Sequence, residues 1–428
     1  MKVLVVGQGA REHALAWKLA QGPTVGRLFA APGNAGLSEV ATCVPIGAAD
    51  VPGLAGFAER ESIDLTVVGP EAPLVAGVAD ELEARGLRVF GPSRDAARLE
   101  GSKSWAKDLC ERHGIPVPRS RAFTELGPAV EFLDAMDPPY VVKADGLAAG
   151  KGVTVAEDRE AAVAALRACL QERVFGEAGS RVLVEEFVSG REISLIAVTD
   201  GRDVVPLALA QDYKRAGDED TGPNTGGMGA YSPVNWVDEP TRAAVVRDVV
   251  ERAVRALADE GTPYRGALYA GLMLTEAGPR LLEFNCRFGD PETEAILPRL
   301  GSDLAELLMA CVEGDLAAQR PEWIPQVCVT VVVASGGYPG AYRTGLEIGG
   351  LDAARSLPGV FPFHAGTAAR DGRVLTAGGR VLAISALGPT MAVARERAYE
   401  ACSMVSFQDM YFRGDIAADV GAGVGGHA

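Results

Sequence analysis

The sequence predicts a multidomain α/β protein that begins with a parallel sheet. Over residues 1 to about 95, short apolar runs alternate with amphipathic stretches, which is the pattern of βα units and therefore of a parallel sheet. Three of these runs end in Gly or Pro turns (VVGQGA, VVGPEA and VFGPS). Their loops are expected on one edge of the sheet, where such sheets bind ligands. The length of 428 residues allows two to four domains.

The N-terminal elements follow from these runs in order. KVLVV is a predicted strand and REHALAWKLA a helix, RLFAAP and DLTVVGP (64–70) are strands, VAGVADELEARG is a helix, and LRVFGPS (87–93) is a strand. The segment 101–120 predicts one helix closed at His113-Gly114, followed by a linker spaced by prolines. A hinge is expected there, because Pro and Gly end a helix and restrict its continuation.

The next elements form a small unit and then a larger one. A helix near 125–136, the strand PYVVKADG, a glycine-rich turn, the strand GVTVAE, a helix from 158 to about 171 and the strand RVLVEEF form the small unit. The larger unit contains the helix TRAAVVRDVVERAVRALADEG, whose apolar residues share one face. Strands return after residue 326, with a late helix PTMAVARERAYEACSMV. The predicted units are 1–120, 121–190, 191–325 and 326–416, with a disordered tail at 417–428.

Charge restricts the partners. The net charge of -16 argues against a nucleic-acid or anionic-membrane surface, and any phosphate site must be locally positive. Only seven of the 41 basic residues are Lys, and five of these fall between 103 and 214. Lys is a compact charge suited to phosphate oxygens, so this clustering indicates a phosphate site, although a preference for Arg codons also explains the ratio.

Cysteine usage and hydropathy indicate the compartment. The seven Cys are an odd number without a CxxC pair, which favours reduced thiols over a disulfide framework or a zinc site. MKVLVVGQGA lacks a signal-peptide pattern, and no window approaches 18 apolar residues. A cytoplasmic protein without a membrane partner is expected, as a monomer or, alternatively, a weak homodimer.

The motif GQGAREHA resembles a dinucleotide fingerprint but departs from it. GxGxxG requires Gly where this chain has Glu12, and RLFAAP ends in Ala-Pro instead of an acid for the ribose. A nicotinamide dehydrogenase is therefore disfavoured. The glycine turn at the start of a helix, carrying Arg11, can hold an anion or a polar substrate group. A helix cap with a solvated Arg explains the motif equally well.

PYVVKADGLAAGKGVTV (139–155) indicates a phosphate loop of an unusual kind. It is not a Walker A loop, because that motif requires Gly at the position of Asp145 and Ser or Thr at that of Gly152. Two strands flank a turn of small residues, whose backbone N–H groups can approach phosphate oxygens. Lys151 lies in the turn and Lys143 in an apolar strand, where it needs a partner. An ordinary hairpin leaves Lys143 unexplained.

Two further segments carry candidate binding groups. RVLVEEF and the residues after it can offer backbone groups to a base and a carboxylate to a ribose, although a solvated strand end has the same composition. The candidates are Glu185, Glu186, Phe187, Val188 and Glu192. QDYKRAGDEDTGPNTGGMGAYSP (211–233) is a predicted long loop, suited to closing over a substrate or merely mobile. Asp212 and Lys214 stand at its start.

EFNCRFGDPE (283–292) places a row of polar groups on one face of a strand. Alternation puts Phe284, Cys286 and Phe288 on one face, and Glu283, Asn285 and Arg287 on the other. Two oxygen ligands at i and i+2 can converge on Mg²⁺, which prefers one or two protein oxygens plus phosphates. Arg287 offers a fork for a carboxylate or phosphate. A buried Glu–Arg pair is the alternative.

Together these motifs resemble one family. KADGLAAGKGV, VEEF, GPNTGGMGAYSP and EFNCRFGDPETE, in this order, resemble the phosphoribosylamine–glycine ligases (glycinamide ribonucleotide synthetases), which are ATP-grasp enzymes of de novo purine synthesis. The resemblance runs from residue 1 to about 416, and RFGDPETE is specific at the family level. One departure is Ala10, where the family more often has Gly; Ala fits if the backbone keeps a negative φ there.

The resemblance implies a four-part ATP-grasp fold: an N-terminal preATP-grasp domain, a small lid, a larger ATP-grasp half and a C-terminal cap. It implies that ATP, glycine and 5-phosphoribosylamine yield ADP, phosphate and glycinamide ribonucleotide through a glycyl phosphate, with Mg²⁺ (or Mn²⁺). Other ATP-grasp ligases, such as a biotin carboxylase or a formate-using purine enzyme, remain alternatives. A non-catalytic nucleotide-binding relative is a further one.

The same resemblance assigns roles to residues. Lys103 and Lys143 contact phosphates, Glu185 and Val188 hold adenine, Glu192 holds ribose, and Glu283 and Asn285 bind the metal. Lys151, Glu186 and Phe187 complete the expected ATP site, and Arg287 and Lys143 are the catalytic candidates. Candidates for the other substrates are Gly9, Arg11, Glu12, His13, Asn34, Asp212, Lys214 and Asp290. For His13, a role within the helix turn is equally compatible with the sequence.

Overall fold

The computed structural model describes residues 1–148 and 152–420. The N-terminal strands are β1 Lys2–Gly7, β2 Arg27–Pro32, β3 Thr42–Cys43, β4 Leu65–Val68 and β5 Val89–Phe90. They form a parallel sheet in the order β3-β2-β1-β4-β5, which confirms the predicted parallel sheet. The strand order reverses at β1, since β2 and β3 lie on one side of it and β4 and β5 on the other. A ligand is expected in the crevice at the carboxyl end of β1.

Helices cover this sheet and lead into the next unit. They are α1 Ala10–Leu19, α2 Leu37–Val40, α3 Val51–Glu61, α4 Glu71–Val75, α5 Val78–Ala84, α6 Arg94–Gly101 and α7 Lys103–Arg112. Gly9 is the N-cap of α1, and its backbone N–H donates to Glu12 Oε2 at 2.6 Å. Ser102 ends α6 and caps α7, because its Oγ accepts from the Trp105 N–H at 3.3 Å.

The small unit is an antiparallel sheet with two helices. It comprises β6 Ser120–Phe123, α8 Leu126–Leu133, β7 Tyr140–Ala144, β8 Val153–Ala156, α9 Arg159–Leu170 and β9 Val182–Glu186. The strand order is β6-β9-β7-β8. Its apolar side chains form a core of their own, separate from the rest of the molecule. A unit with its own core can move as one body on its connections.

The larger unit is built on a second antiparallel sheet. After β10 Arg191–Asp200 and β11 Val204–Pro206 come β12 Gln211–Asp212, β13 Arg215–Gly217, β14 Thr221–Asn224 and β15 Gly229–Ser232. The long helix consists of α10 Glu239–Val245, a π-helical turn Val246–Glu251 and α11 Arg252–Asp259. β16 Arg265–Thr275, β17 Gly278–Asn285, α12 Glu292–Ile296 and α13 Leu304–Glu313 follow. The sheet order is β11-β10-β16-β17.

The segment 211–233 is not the long loop that the sequence predicts. β13 and β14 form a hairpin, and β15 pairs with a strand almost 100 residues later in the chain (Ser232 with Cys328). Gly, Asn and Pro give this segment little intrinsic tendency to form strands. β13 and β14 pair with each other, whereas β15 forms because the remote strand supplies backbone hydrogen bonds, which no local pattern reveals.

The C-terminal part closes the molecule. It contains β18 Val327–Ser335, α14 Leu351–Arg355, β19 Val360–His364, β20 Thr367–Arg370, β21 Arg373–Thr376, β22 Arg380–Gly388, α15 Met391–Met404 and β23 Met410–Tyr411. A six-stranded sheet runs β12-β15-β18-β22-β19, with β23 beside β18. It therefore combines strands from both sides of residue 325, where the sequence suggested a boundary.

The chain end packs against the rest of the protein as far as residue 420. Ile416 and Ala417 are buried, and the Ala417 N–H donates to the Tyr213 hydroxyl at 2.9 Å. Disorder was expected from residue 417; residues 417–420 are instead part of the fold, and 421–428 lie outside the described residues. In the part of the chain that the structure describes, no helix is long and apolar enough to cross a membrane.

Candidate active site

A cleft of about 1010 Å³ lies between the small unit, helix α7 and the sheet of the larger unit. Its walls include Lys103 and Lys107 from α7, Lys143 from β7, and the polar side chains at the end of β17. A second cleft of about 680 Å³ lies between the N-terminal and C-terminal parts. The two share Asp290 and Arg380.

Lys143 is buried because a carboxylate meets it. Glu185 on β9 forms ion pairs with both Lys143 and Lys107, and Lys143 Nζ also donates to Leu282 O at 3.2 Å. Burial alone would raise the pKa of Glu185, but the two ammonium groups outweigh it and hold the pKa below its usual value. The sequence predicts a partner for Lys143, and the structure identifies it as Glu185.

The first turn of α7 joins the small unit to the N-terminal part. Lys103 Nζ donates to Gly146 O at 3.2 Å, and the Ser104 N–H donates to Asp145 Oδ1 at 2.6 Å. Asp145 and Gly146 directly follow β7. Burial lowers the pKa of Lys103, with the nearby Lys143 adding to the shift and Glu283 opposing it. Lys103 and Lys143 therefore face the same region of the cleft.

The end of β17 has the two faces that the sequence predicts. Phe284, Cys286 and Phe288 are 3%, 1% and 1% exposed, and Glu283 and Asn285 are half-buried and line the larger cleft, which Phe284 also contacts. Burial would raise the pKa of Glu283, but Lys214, Lys143 and Lys103 together hold it below its usual value. Glu283 is therefore an ionised carboxylate that faces a cluster of cations.

The donor set at this strand end fits a divalent cation. Glu283 supplies a carboxylate and Asn285 an amide oxygen; with its nitrogen oriented toward acceptors, Asn285 donates to Glu100 Oε1 at 3.0 Å. Among residues 1–148 and 152–420, no cluster of three or more His, Cys, Asp or Glu could hold a metal by itself. Mg²⁺ bound through nucleotide phosphates needs only one or two protein oxygens, and this pair provides them.

Arg287 is already engaged by carboxylates of the N-terminal part. Its Nε lies 3.3 Å from Glu71 Oε2 and its Nη2 lies 3.3 Å from Glu100 Oε1. Glu100 and Glu71 outweigh the effect of burial and raise the pKa of Arg287. The alternative of a buried Glu–Arg pair is thus observed, although with different partners than Glu283. About 18% of the side chain stays exposed in the cleft.

A second ionic group lies across the cleft from β17. Lys214 pairs with Glu192 and lies 4.0 Å from Asp212 Oδ2. Asp212 Oδ1 is buried and, within the described residues, has no hydrogen-bond partner. Burial raises the pKa of Asp212 well above its usual value. Glu192, expected at a ribose, is therefore tied to Lys214.

The segment that connects β9 to β10 forms the wall expected to contact a base. Glu186 accepts from the Arg119 N–H at 2.8 Å, which fixes the segment to the linker before β6. Phe187 is 41% exposed, and both it and Val188 line the larger cleft. Lys151, the remaining residue of the expected ATP site, lies outside the described residues.

The expected substrate residues divide between the two clefts. Gly9 and Asn34 line the second cleft, where Asn34 Nδ2 donates to Gln8 O at 2.8 Å and His364 O at 2.7 Å. Arg11 lines the larger cleft, and Asp290 lines both. Arg11 Nε pairs with Glu12 Oε1 at 2.6 Å, so an ion pair and not only a cap fixes this helix start.

Glu12 and His13 do not line either cleft. Glu12 accepts from the Gly9 N–H and pairs with Arg11. His13 is 5% exposed, and its Nδ1 accepts from the His364 N–H at 2.9 Å. Burial lowers the pKa of His13 to about 3, so this ring is neutral near pH 7 and packs α1 against β19.

Family models cover most of the chain. The N domain of phosphoribosylglycinamide synthetase matches residues 1–100, its ATP-grasp (A) domain matches 101–293, and its C domain matches 328–419. The chain belongs to the phosphoribosylglycinamide synthetase family. This confirms the resemblance, the ATP-grasp fold and the ligase activity that the motifs indicate.

Individual members of the family match over nearly their whole length. The phosphoribosylamine–glycine ligases of Escherichia coli O6:H1 and Vibrio cholerae serotype O1 are 51% and 50% identical to this chain, over 97% of it and 98% and 97% of theirs. The crystal structure of phosphoribosylamine–glycine ligase from Thermotoga maritima has a TM-score of 0.83 at 34% identity, covering 97% of this chain and 100% of that one.

The alternative ligase classes resemble this synthetase in fold only. A biotin carboxylase domain of Hydrogenobacter thermophilus 2-oxoglutarate carboxylase, solved with MgADP, has a TM-score of 0.74 at 16% identity over 96% of this chain. Such a likeness follows from the shared ATP-grasp architecture. It does not extend to the substrates, because function resides in the residues of the site.

Sequence reasoning missed several residues of this synthetase's clefts. They are Glu71, Glu100, Lys107, Tyr269, Glu292 and Arg380. Glu71 follows the VVGP turn, which was already expected at the ligand edge, so that turn was a usable signal. Lys107 follows Lys103 by one helical turn, which also places both on one face. Arg380 begins a C-terminal strand and carries no local signal.

Proposed function

We propose that the larger cleft binds ATP and glycine and that the chain joins glycine to 5-phosphoribosylamine, giving ADP, phosphate and glycinamide ribonucleotide. One observation carries this proposal: Lys103, Lys143 and the ionised Glu283 face one cleft between the small unit and the larger sheet. This is the combination that phosphoryl transfer needs, since positioning and charge neutralisation supply most of its catalysis.

The proposed position of ATP follows the chemistry of the walls. The base lies against the segment Glu186–Val188, and the phosphates extend to Lys103 and Lys143. The whole chain carries a net charge of -16, so Lys103 and Lys143 supply the local positive charge that a phosphate chain requires.

Glu283 and Asn285 would hold a divalent cation, proposed to be Mg²⁺ or Mn²⁺. When bound, such a cation neutralises charge on the phosphate oxygens. Glu283 suits this task because the lysines keep it ionised. With its nitrogen oriented toward Glu100, Asn285 would offer its amide oxygen to the cation. Arg287, fixed by Glu71 and Glu100, would contact a substrate carboxylate or the transferred phosphoryl group.

The proposed reaction has two steps. The glycine carboxylate takes the γ-phosphoryl group from ATP, which forms glycyl phosphate and ADP. The amine of 5-phosphoribosylamine then attacks the acyl carbon, the new C–N bond forms, and phosphate leaves. The small unit would exclude water, because hydrolysis of the acyl phosphate would consume ATP without product.

The second cleft is the proposed position of 5-phosphoribosylamine. Gly9, the N-cap of α1, and Asn34 line it, and the positive end of a helix dipole favours a phosphate. Because Asp290 and Arg380 line both clefts, the amine and the acyl phosphate are proposed to meet beside these two residues. All these residues come from one chain, so a monomer would suffice for activity.

The test is ADP release with MgATP and glycine, with and without 5-phosphoribosylamine generated in situ. ADP formation that needs both substrates and matches glycinamide ribonucleotide in amount is the expected result. Tight ATP binding without ADP release would contradict the proposal and would indicate a non-catalytic relative. ADP release with another carboxylate in place of glycine would indicate a different ligase.

A further inference from the structure

Asp290 and Arg380 form the wall common to the two clefts. If glycyl phosphate forms in the larger cleft and 5-phosphoribosylamine enters the second, the amine must meet the acyl carbon at this wall. The attack leaves a surplus proton on nitrogen, which must be removed for the amide to form. A proton acceptor is therefore needed where the clefts join.

Arg380 pairs with one oxygen of the Asp290 carboxylate, and the other oxygen makes no hydrogen bond within the described residues. Oδ1 pairs with Arg380 Nη1 at 2.9 Å, and the main-chain oxygen of Asp290 accepts from the same nitrogen at 3.1 Å. Oδ2 points toward the turn before α1, since a β-carbon built on Gly9 would lie 3.6 Å from it. Within residues 1–148 and 152–420, no hydrogen bond to Oδ2 is observed, the shortest ion-pair distance of Asp290 runs from Oδ1, and about 15% of the side chain is exposed.

Arg380 also contacts the backbone of the turn between β14 and β15. Its Nη1 also donates to Gly226 O at 2.5 Å and, at a longer 3.4 Å, to Gly227 O. These two glycines connect β14 to β15, and a β-carbon on Gly227 would lie 2.4 Å from the Cδ of Pro291. The turn and the Asp290 backbone are thus packed together by one guanidinium. Arg380 therefore fixes the direction in which Asp290 Oδ2 points.

We propose that Asp290 is a catalytic residue that accepts the amine proton through Oδ2, and that Arg380 is a positioning residue that holds Asp290. The amine nitrogen bonds to the acyl carbon, the bond from that carbon to the phosphate oxygen breaks, phosphate leaves with its electron pair, and the proton moves to Oδ2. This proposal rests on the proposed function, since it assumes that the acyl phosphate and the amine meet at this wall.

Other titratable groups near the wall are unsuited to the task. Glu294 is fully buried, neither of its carboxylate oxygens has a hydrogen-bond partner among the described residues, and burial raises its pKa well above the usual value. Its protonated form accepts no proton. His13 and His364 are buried, and neither lines a cleft. Asp290 lines both clefts, and its Oδ2 makes no hydrogen bond within the described residues.

The test is a single turnover of Asp290→Asn, with enzyme in excess over radiolabelled ATP and with glycine and 5-phosphoribosylamine present, quenched in acid. Asn keeps an oxygen for Arg380 and removes only the basic Oδ2. ADP should form within about threefold of the wild-type rate, whereas glycinamide ribonucleotide should form on the order of 100-fold more slowly. Acid releases bound ADP, so trapping of ADP on the enzyme does not hide the first step.

Arg380→Met and Arg380→Lys test the positioning role. Met should reproduce the split between fast ADP and slow product, and Lys, which restores a cation beside Oδ1, should recover part of the second step. Asp371→Asn is the matched control, because Asp371 is 87% exposed in the turn between β20 and β21. It should leave both rates unchanged.

Three outcomes overturn the proposal. The first is equal slowing of ADP and glycinamide ribonucleotide formation in Asp290→Asn, which would place Asp290 in phosphoryl transfer. The second is wild-type rates of both steps in Asp290→Asn. The third is a wild-type rate of the second step in Arg380→Met. If the wild type forms no glycinamide ribonucleotide from these substrates, the result contradicts the proposed function itself, before any variant is compared.

Discussion

Lys143 shows how a charged side chain is accommodated inside an apolar strand. β7 and β9 are antiparallel neighbours in which Val141 lies opposite Glu185 and Lys143 opposite Leu183. Lys143 and Glu185 are therefore diagonal neighbours on one face, and Lys107 reaches Glu185 from α7. One carboxylate thus serves two ammonium groups, which leaves a net positive charge where the phosphates are proposed to bind.

Glu185→Gln should destabilise the fold, because it leaves two buried ammonium groups without their carboxylate. The expected loss is about 3–5 kcal/mol of unfolding free energy at pH 7, measured by urea denaturation. Glu172→Gln, an exposed substitution in the same unit, is the control and should change little. Equal stability of the two variants would contradict the structural role of the Lys107–Glu185–Lys143 group.

The same carboxylate predicts a dependence of stability on pH. The folded pKa of Glu185 is lowered, so its contribution is present above the unfolded pKa of about 4.3 and is lost as pH falls through the folded pKa. Between about pH 5 and pH 3, the wild type should therefore lose more unfolding free energy than Glu185→Gln does. Parallel curves for the two proteins would count against this linkage.

Glu283→Gln should reduce turnover by on the order of 100-fold or more while the fold stays intact. The neutral amide removes the anionic metal ligand, and the positive charges of Lys214, Lys143 and Lys103 lose a neighbouring carboxylate. Circular dichroism should be unchanged, and Glu306→Gln, exposed on α13, should keep full activity. Near-normal turnover of Glu283→Gln at saturating Mg²⁺ would rule out the metal role.

At the scale of elements, a β-bulge in β17 precedes the residues whose polar side chains face the larger cleft. Leu281 pairs with Leu272 and Glu283 with Gly271, so Leu282 is an extra residue on β17. Leu281 and Phe284 are both buried, although simple alternation would put them on opposite faces. The bulge turns Glu283 into the cleft and presents Leu282 O to Lys143.

The long helix shows the reverse case, in which local periodicity was sufficient. The predicted apolar face comprised residues 245, 246, 249, 250, 253, 254 and 257, all of which are buried except Val246, which is half-buried. The π-helical turn Val246–Glu251 adds a residue to the spacing without disturbing that face. Burial of one stripe therefore decides the orientation of a helix of this length.

Asp145 links the strand β7 to the start of α7, and its removal should affect both. Asp145 Oδ1 accepts from the Ser104 N–H, and Oδ2 accepts from the Ser102 hydroxyl at 3.1 Å. Asp145→Ala should lose about 1 kcal/mol of stability and raise the KM for ATP, because Lys103 lies in the same turn.

Asp158→Ala is the matched control for Asp145→Ala. Asp158 caps α9, accepting from the Ala161 N–H at 2.8 Å, and is exposed. It should cost a similar amount in thermal unfolding while leaving the KM for ATP unchanged. The same change in KM for both variants would mean that any loosening of the small unit weakens ATP binding.

At the scale of the whole molecule, the chain end returns to the larger cleft. Arg413, 1% exposed, pairs with Asp220 at 2.8 Å and with Asp415 at 2.6 Å. The Tyr213 hydroxyl donates to Asp419 at 3.1 Å. Residues from this segment line the cleft beside the hairpin β13–β14. The last part of the chain therefore supports residues that are 200 positions earlier.

Two truncated proteins should show whether the contacts of residues 413–420 support the larger cleft. A protein ending at residue 420 should keep wild-type thermal stability and ATP affinity, measured by calorimetry. One ending at residue 412 should lose both, because the buried Ile416 and the ion pairs of Arg413 are removed. Retention of ATP affinity by the shorter protein would show that the segment does not support the cleft.

Much of this molecule follows from local patterns. The alternation of strands and helices predicted the parallel sheet, and alternation along EFNCRFGDPE predicted that Phe284, Cys286 and Phe288 are more buried than Glu283, Asn285 and Arg287. Other features depend on contacts between remote parts of the chain. Arg287 meets Glu71 across 216 residues, and Arg380 meets Gly226 across 154. A single sequence carries no periodic signal for such pairs.

The sequence by itself determined the family, the fold class and the polar faces, because periodicity and glycine-rich turns act over a few residues. Only the tertiary structure decided which charges meet. It paired Lys143 with Glu185, assigned Arg287 to two carboxylates of another domain, buried His13, and brought Asp290 and Arg380 to the wall between the clefts. Burial and distance set the energy of a charge, and both arise only when remote segments pack together.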